Sequence, residues 1–254
     1  MASARGDVRA VPRGAPRARR RGWPRSALGV LGWLALAAAV AVLLLQLWFL
    51  AHIVWWRSNN PESTRFMRDQ LAVLRERNPQ ASLQHVWVPY ARISPSLKRA
   101  VIAAEDANFS GHDGIDWDAI ERAHERNLQR GKVTHGGSTI TMQLAKNLFL
   151  SGERSYLRKA EEVAIAFMLE RVLSKQRILE LYLNVAEWGT GVFGCEAAAR
   201  RHFGAGAGQL SAAQAARMAA MLPRPRHYDR NPGSVALVRR AELIQRWMGA
   251  VEPP

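Results

Sequence analysis

From Ser26 to Trp56 the chain contains no Asp, Glu, Lys or Arg, and the run is rich in Leu, Ala, Val and Trp. A helix crosses the hydrocarbon core of a bilayer with about 20 apolar residues, each rising about 1.5 Å. The stretch is therefore long enough to span, with tilt or an interfacial extension. Its flanks set a direction. Residues 1–25 hold eight arginines against one acid, Asp7, a net charge of +7, and Trp48, Trp55 and Trp56 gather at the opposite end. Arginines on one side and an aromatic belt on the other predict a single-pass anchor (26–56) behind an Arg-rich cytoplasmic tail (1–25). Residues 57–254 are then expected outside the cytoplasm. The competing reading is a cleaved signal peptide, whose apolar core runs about 7–15 residues to a small-residue cleavage site. Here the core is longer and ends in Trp55-Trp56-Arg57.

This division changes the meaning of the net charge. The chain totals +15, from 36 Lys+Arg and 21 Asp+Glu, and a sum of that size first suggests nucleic acid or an anionic membrane. Roughly half of it is a topology signal, and +8 remains on 57–254. The nucleic-acid reading is dropped. A single cysteine excludes a disulfide framework and a Cys-rich zinc site, and 48% apolar residues exclude a wholly disordered chain.

Beyond the anchor, 57–84 reads as a linker or a membrane-proximal helix, and 85–250 as one mostly α domain. Ser94-Pro95 is an N-cap with Pro at N1, followed by Leu97, Val101 and Ala104 at helical spacing. Asp116 caps a helix that ends at Gly131, and Gly136-Gly137-Ser138 opens another through about Leu150. Helices follow over about 156–173, 175–187 and 234–249. Ser211 and Gln214 form a capping box before an Ala-rich helix that Pro223 stops. Val86–Val88 is the best strand candidate.

Four constellations carry potential chemistry. Glu105, followed by Asp106, Phe109 and His112, ends the first helix of the domain beside its apolar face. Partial desolvation and the negative helix end both raise the pKa of a carboxylate there, as a general acid or base requires. The bland reading is a solvated helix-end acid and a structural histidine. Three of the four ligands that a zinc at His112 would need are not nearby, so a metal site is not expected. Second, Thr139, Gln143, Lys146 and Asn147 share a stripe of about 100° on one helix, behind two glycines and Ser138. The start of that helix is anion-receptive, but the spacing is not that of a P-loop. An ordinary capped amphipathic helix is the alternative. Third, Arg154, Arg158 and Glu162 recur at i, i+4, i+8 with Lys159 beside them. Two arginines on one face suit a pyrophosphate, and an ion pair worth about 0.3–0.5 kcal/mol is the structural alternative. Fourth, the segment from Arg177 to Gly194 reads mostly as core helix plus turn, with Asn184 and Glu187 as polar residues of undecided direction. Cys195 reads as a small buried apolar residue.

In this order the segments resemble the peptidoglycan glycosyltransferases of family 51. Glu105–Gly114 (EDANFSGHDG) is similar to that family's first motif, ED-x-x-F-x-x-H-x-G. Gly137–Asn147 (GSTITMQLAKN) is similar to its second, and Arg158–Glu162 (RKAEE) to its third. Ile178–Asn184 (ILELYLN), and Ala197–Gly204 with Leu222-Pro223, resemble the fourth and fifth. His202 stands where an aromatic is usual and Gln214 where Glu is common. The resemblance spans roughly 85–240. It implies a mostly helical, lysozyme-like glycosyltransferase domain with a small lobe at the membrane. It also implies Glu105 as the base toward the acceptor 4-hydroxyl and Glu162 as a second carboxylate. Ser138, Thr139, Gln143, Lys146, Asn147, Arg154 and Arg158 then line the donor and pyrophosphate side. Asp106, Phe109, His112, Lys159 and Asn184 are supporting candidates.

The implied partners are lipid II and a lipid-linked glycan chain, in the bacterial inner membrane with the catalytic domain periplasmic, alongside other cell-wall synthesis proteins. The implied reaction forms β-1,4 links with inversion. No cofactor is required by the sequence, although a divalent cation (Mg or Mn) assists some members. No S-x-x-K occurs, so the form without a transpeptidase domain is expected. A lytic enzyme on the same kind of fold is the nearest rival, since one glutamate serves there too. The cationic set Lys146, Arg154 and Arg158 speaks against it. A membrane-tethered scaffold would need neither glutamate.

Overall fold

The computed structural model describes residues 25–131, 136–153 and 155–254, without the side chains of 25–28 and 130. Residues 1–24 of the Arg-rich tail and Arg154 therefore lie outside the described residues. Two compact units divide the chain, residues 1–46 and 47–254.

In the first unit, helix α1 (Arg25–Trp55) begins. Its stretch Gly29–Trp55 is 27 residues long with a mean hydropathy of 2.5, and its most apolar window is only 6% buried. A soluble core helix of that composition would bury most of its surface. By length and composition this helix could cross a membrane, as the uncharged run predicts.

The second unit is helical with one small sheet. Its helices are α2 (Arg65–Arg77), α3 (Pro95–Glu105), α4 (Trp117–Arg130), α5 (Ile140–Phe149), α6 (Tyr156–Val172), α7 (Lys175–Val185), α8 (Cys195–Phe203), α9 (Ala212–Met221), α10 (Pro225–Arg230) and α11 (Val235–Trp247). The region read as linker or helix thus contains a helix, capped by Thr64, whose side chain accepts from Met67 N. The caps at Asp116, Gly131 and Ser211–Gln214 form as expected.

Two layers of packing build the core. Helix α5 lies against α6 and α7, burying Ile140, Leu144 and Leu148. Helix α9 presents Ala215, Ala216, Ala219 and Ala220 to α3 and α11. Small side chains let those helices approach closely, where Leu97 and Val101 of α3 and Leu237 of α11 are fully buried.

The C-terminal end of α1 belongs to this core. Phe49, Ile53 and Trp56 are buried, and Phe149 at the end of α5 sits 4.9 Å from the Phe49 ring and 5.1 Å from the Trp56 ring. Arg177 of α7 closes the junction. Its Nε donates to Trp56 O at 2.9 Å and its Nη2 to Asn59 O at 2.5 Å, while Nη1 pairs with Glu180 at 2.8 Å. The guanidinium thus ties down the chain just beyond the end of α1.

Three local expectations change. The strand is Gln84–His85 (β1), not Val86–Val88. It pairs in parallel with Val192–Phe193 (β3), which pairs antiparallel with Glu187–Gly189 (β2). Beyond His85 the chain leaves the ladder, and at Val88 the Asn184 side chain takes both backbone polar groups, accepting from its N at 2.8 Å and donating to its O at 2.9 Å. Ser94 occupies the N-cap of α3, yet its hydroxyl donates to Leu210 O at 3.1 Å. Pro95 at N1 has no N–H to cap. The helix after the paired glycines starts at Ile140 with Thr139 as its cap, so Gly136–Ser138 remain an extended loop.

Candidate active site

Helices α3 and α5 meet through the Asp106 side chain. Its Oδ2 accepts from Ile140 N at 2.9 Å, and its Oδ1 bonds His112 Nε2, also at 2.9 Å. One carboxylate thus satisfies an orphan N–H at the start of α5 and anchors the turn that follows α3. Thr139 completes the joint, accepting from Met142 N and donating to Gly114 O at 2.6 Å. Gly114 has φ +89°, and an added Cβ would lie 3.0 Å from Glu170 Cγ. That position needs glycine for both reasons. Gly137 is equally constrained, since a Cβ there would stand 2.8 Å from Ile120 Cα.

The joint opens a cleft of about 360 Å³ lined by Glu105, Asp106, Asn108, Asp116, Arg122 and Gly136–Thr139. Glu105 is the last residue of α3 and its side chain is 11% exposed. Gln143 Nε2 donates to Glu105 Oε2 at 2.9 Å, and Tyr182 Oη donates to Gln143 Oε1 at 2.9 Å. Arg240 Nη2 stands 3.4 Å from Glu105 Oε1 and from Ala104 O. Burial pushes the Glu105 carboxyl above the ordinary range, opposed by the Gln143 hydrogen bond and by Arg240 and Lys146.

Glu162 has a different setting. It is 2% exposed, with Arg158 Nη1 at 2.8 Å, Lys159 Nζ at 2.5 Å and Ser138 Oγ at 3.3 Å. The i,i+4 pair read from the sequence is therefore formed. Arg158 also keeps a buried Nε with no partner among the described residues. Ser138 joins the two centres, because it lines the Glu105 cleft and bonds Glu162. Lys146 lies in the field of both carboxylates. Burial lowers its pKa, with Glu162 and Glu105 opposing that shift.

The remaining candidates divide. Asn147 is buried on α5 beside Lys146. Asp106, His112 and Thr139 hold the joint. Phe109 is fully buried, with Lys175 Nζ 4.6 Å from its ring centre, so it supports the turn from below. Asn184 does not reach the cleft. It is fully buried and ties α7 to Val88. Glu187 is likewise engaged elsewhere, in a two-point pair with Arg226 at 2.7 and 3.0 Å. Cys195 is buried, and burial pushes its thiol far above the ordinary range.

Sequence reading missed Tyr182, Arg240 and Glu170. Tyr182 sits inside a segment that reads as core helix, and only its hydroxyl distinguishes it from packing. Arg240 lies 135 positions from Glu105 on an ordinary amphipathic helix. Glu170 accepts from Thr141 Oγ1 at 2.6 Å and pairs with Lys175 at 2.8 Å, bracing α5 against α6. Its spacing from Glu162 on the same helix is the one local hint.

Comparison with known proteins points the same way. A family model described as Transglycosylase matches residues 71–248. The chain is 61% identical over 225 residues to a protein of Herminiimonas arsenicoxydans named biosynthetic peptidoglycan transglycosylase, covering 89% of this chain and 97% of that one. A Janthinobacterium protein of the same name is 58% identical, with the same coverage. One from Bordetella pertussis is 54% identical over 243 residues, covering 94% and 99%.

Proposed function

The chain belongs to the transglycosylase family, and on that premise we propose that it polymerises glycan chains from lipid II. The enzyme is a peptidoglycan glycosyltransferase, and its substrate, stereochemistry and residue roles form the proposal. One observation carries it. Ser138 lines the cleft beside a lightly partnered carboxylate, Glu105, and hydrogen-bonds a cation-clamped carboxylate, Glu162. A base for a neutral hydroxyl and a cationic seat for a departing anion are what this transfer needs.

Ionised Glu105 takes the proton of the acceptor 4-hydroxyl as that oxygen attacks the anomeric carbon of the lipid-linked chain. The new C–O bond forms as the bond to the pyrophosphate oxygen breaks, and that oxygen keeps the electron pair. A single displacement inverts the centre and yields a β-1,4 link. Lys146, Arg158 and Lys159 take up the charge of the leaving group, with Arg154 as a further candidate. Glu162 holds Arg158 and Lys159 in place. Ser138 and Asn147 line the donor side.

No step passes through a divalent cation. Glu105, Asp106 and Glu162 are engaged with protein donors, and among the described residues no three His, Cys, Asp or Glu side chains converge. The apolar helix serves as an uncleaved single-pass anchor in the bacterial inner membrane. The Arg-rich tail is cytoplasmic and the catalytic domain periplasmic.

The test is polymerisation of lipid II by the purified full chain. Wild type is expected to lengthen chains, and Glu105→Gln to abolish this with folding intact. Full polymer yield from that variant would sink the role of Glu105. Shortening of preformed strands by wild type would establish the lytic reading instead.

A further inference from the structure

The Glu105 centre contains a group that the reaction as written does not use. Tyr182 is 1% exposed, and its hydroxyl bonds Gln143 Oε1 at 2.9 Å. Gln143 in turn reaches Glu105 Oε2 at 2.9 Å. A primary amide can present either end to a neighbour, and the two ends have opposite effects on a carboxylate. The NH2 end stabilises the ionised form, whereas the C=O end can only accept from the protonated form. What selects between them is the partner on the far side. Burial and the nearby Glu105 and Asp106 carboxylates push the Tyr182 phenol well above its ordinary range, so it stays protonated and able to donate. Its donation occupies the amide oxygen and turns the NH2 toward Glu105.

We propose that Tyr182 is a positioning residue for the transfer: it fixes the orientation of the Gln143 amide and so keeps Glu105 ionised and able to accept a proton. The inference rests on the reading of Glu105 as the base. The other groups facing Glu105 leave this task to the amide. Arg240 from α11 approaches Oε1 only at 3.4 Å. Lys146 from α5 acts through space and is shared with Glu162. Asp106, next in the chain, opposes ionisation. Across the cleft, Asp116 and Arg122 face each other at 3.9 Å.

The experiment is the pH dependence of kcat for lipid II polymerisation by the full chain, for wild type and Tyr182→Phe. Phenylalanine keeps the ring and removes only the donor. The acid limb is expected to move to higher pH by about one pH unit, the scale of one lost hydrogen bond to a carboxylate. The rate loss is then about 10-fold on the acid side and shrinks toward the alkaline plateau. In a Gln143→Ala background the same Tyr182 change should leave the acid limb where Gln143→Ala alone puts it. A chain carrying 3-fluorotyrosine in place of tyrosine avoids any folding loss. Its more acidic phenol donates more strongly, which should move the limb to lower pH. An unmoved acid limb in both the Phe and fluorotyrosine forms would overturn the inference, as would an equal rate loss at every pH. Polymer formation by Glu105→Gln would instead remove the premise about the base and is read separately.

Discussion

Glu105 lines the cleft, Glu162 is tied to it through Ser138, and the surroundings of the two carboxylates are opposite. Glu105 touches a neutral amide closely and a guanidinium only at 3.4 Å, so burial dominates and raises its proton affinity. Glu162 is held by two cations within 2.8 Å and by a serine hydroxyl. The first arrangement makes a carboxylate that gains by taking a proton. The second makes one that keeps two cations in place. In the proposed mechanism one residue type serves as reactant in one position and as scaffold in the other, according to its neighbours.

The sharpest way to break this comparison is to neutralise each glutamate in turn. Glu105→Gln should lower polymerisation by about 10³-fold, the middle of the range for losing a general base. Its thermal stability should move the other way. Glu105 has a raised folded pKa, so its favourable contribution is complete below its unfolded pKa and is lost as pH rises through the folded pKa. The variant should therefore melt above wild type at neutral pH, and the two should converge in acid. Glu162→Gln should instead destabilise by about 2 kcal/mol, because it strands the largely buried Arg158. Calorimetry at several pH values reads both, and equal signs at neutral pH would erase the distinction.

Arg158→Ala tests the scaffold side next. It should raise KM for the lipid-linked donor by about 10-fold or more, a loss on the scale of a charge-assisted contact. Arg158→Lys should restore part of it. Lys146→Met bears on both centres at once. The lysine holds down the proton affinity of Glu105, so its loss should move the acid limb of the rate profile to higher pH. It should also slow departure of the pyrophosphate, giving about 10² in kcat.

Asn184→Ala is expected to have the smallest effect on chemistry. It should cost about 2–3 kcal/mol of stability, from buried Val88 groups left without partners. The rate per folded molecule should stay near wild type. A selective loss of rate, with melting unchanged, would return Asn184 to the site.

Legibility from sequence followed the range of the interaction. The long apolar helix was readable because the length and composition that let a helix span a bilayer lie in consecutive residues. The helices and most caps were readable because their partners lie within four positions. Glu105 and Glu162 were readable as candidates, and Arg158–Glu162 as a pair, for the same reason. Asn184 and Glu187 were not, since a polar residue at the end of a core helix looks the same whether it faces a cleft or ties down a loop. Ser94 shows the limit within a correct assignment. It sits at the cap, yet its hydroxyl goes to Leu210, 116 positions away.

Sequence alone determined that one long uncharged helix precedes a mostly helical domain, and that carboxylates and cations recur there at helical spacing. Those properties depend on local periodicity and on charge, which the chain carries before it folds. Tertiary structure decided which carboxylate is lightly held and which is clamped. It also decided that Tyr182 and Arg240 stand behind Glu105, and that the C-terminal end of helix α1 packs into the domain at Phe149 and Arg177. Proton affinity depends on what lies within a few ångströms in space, and those neighbours come from helices far apart along the chain.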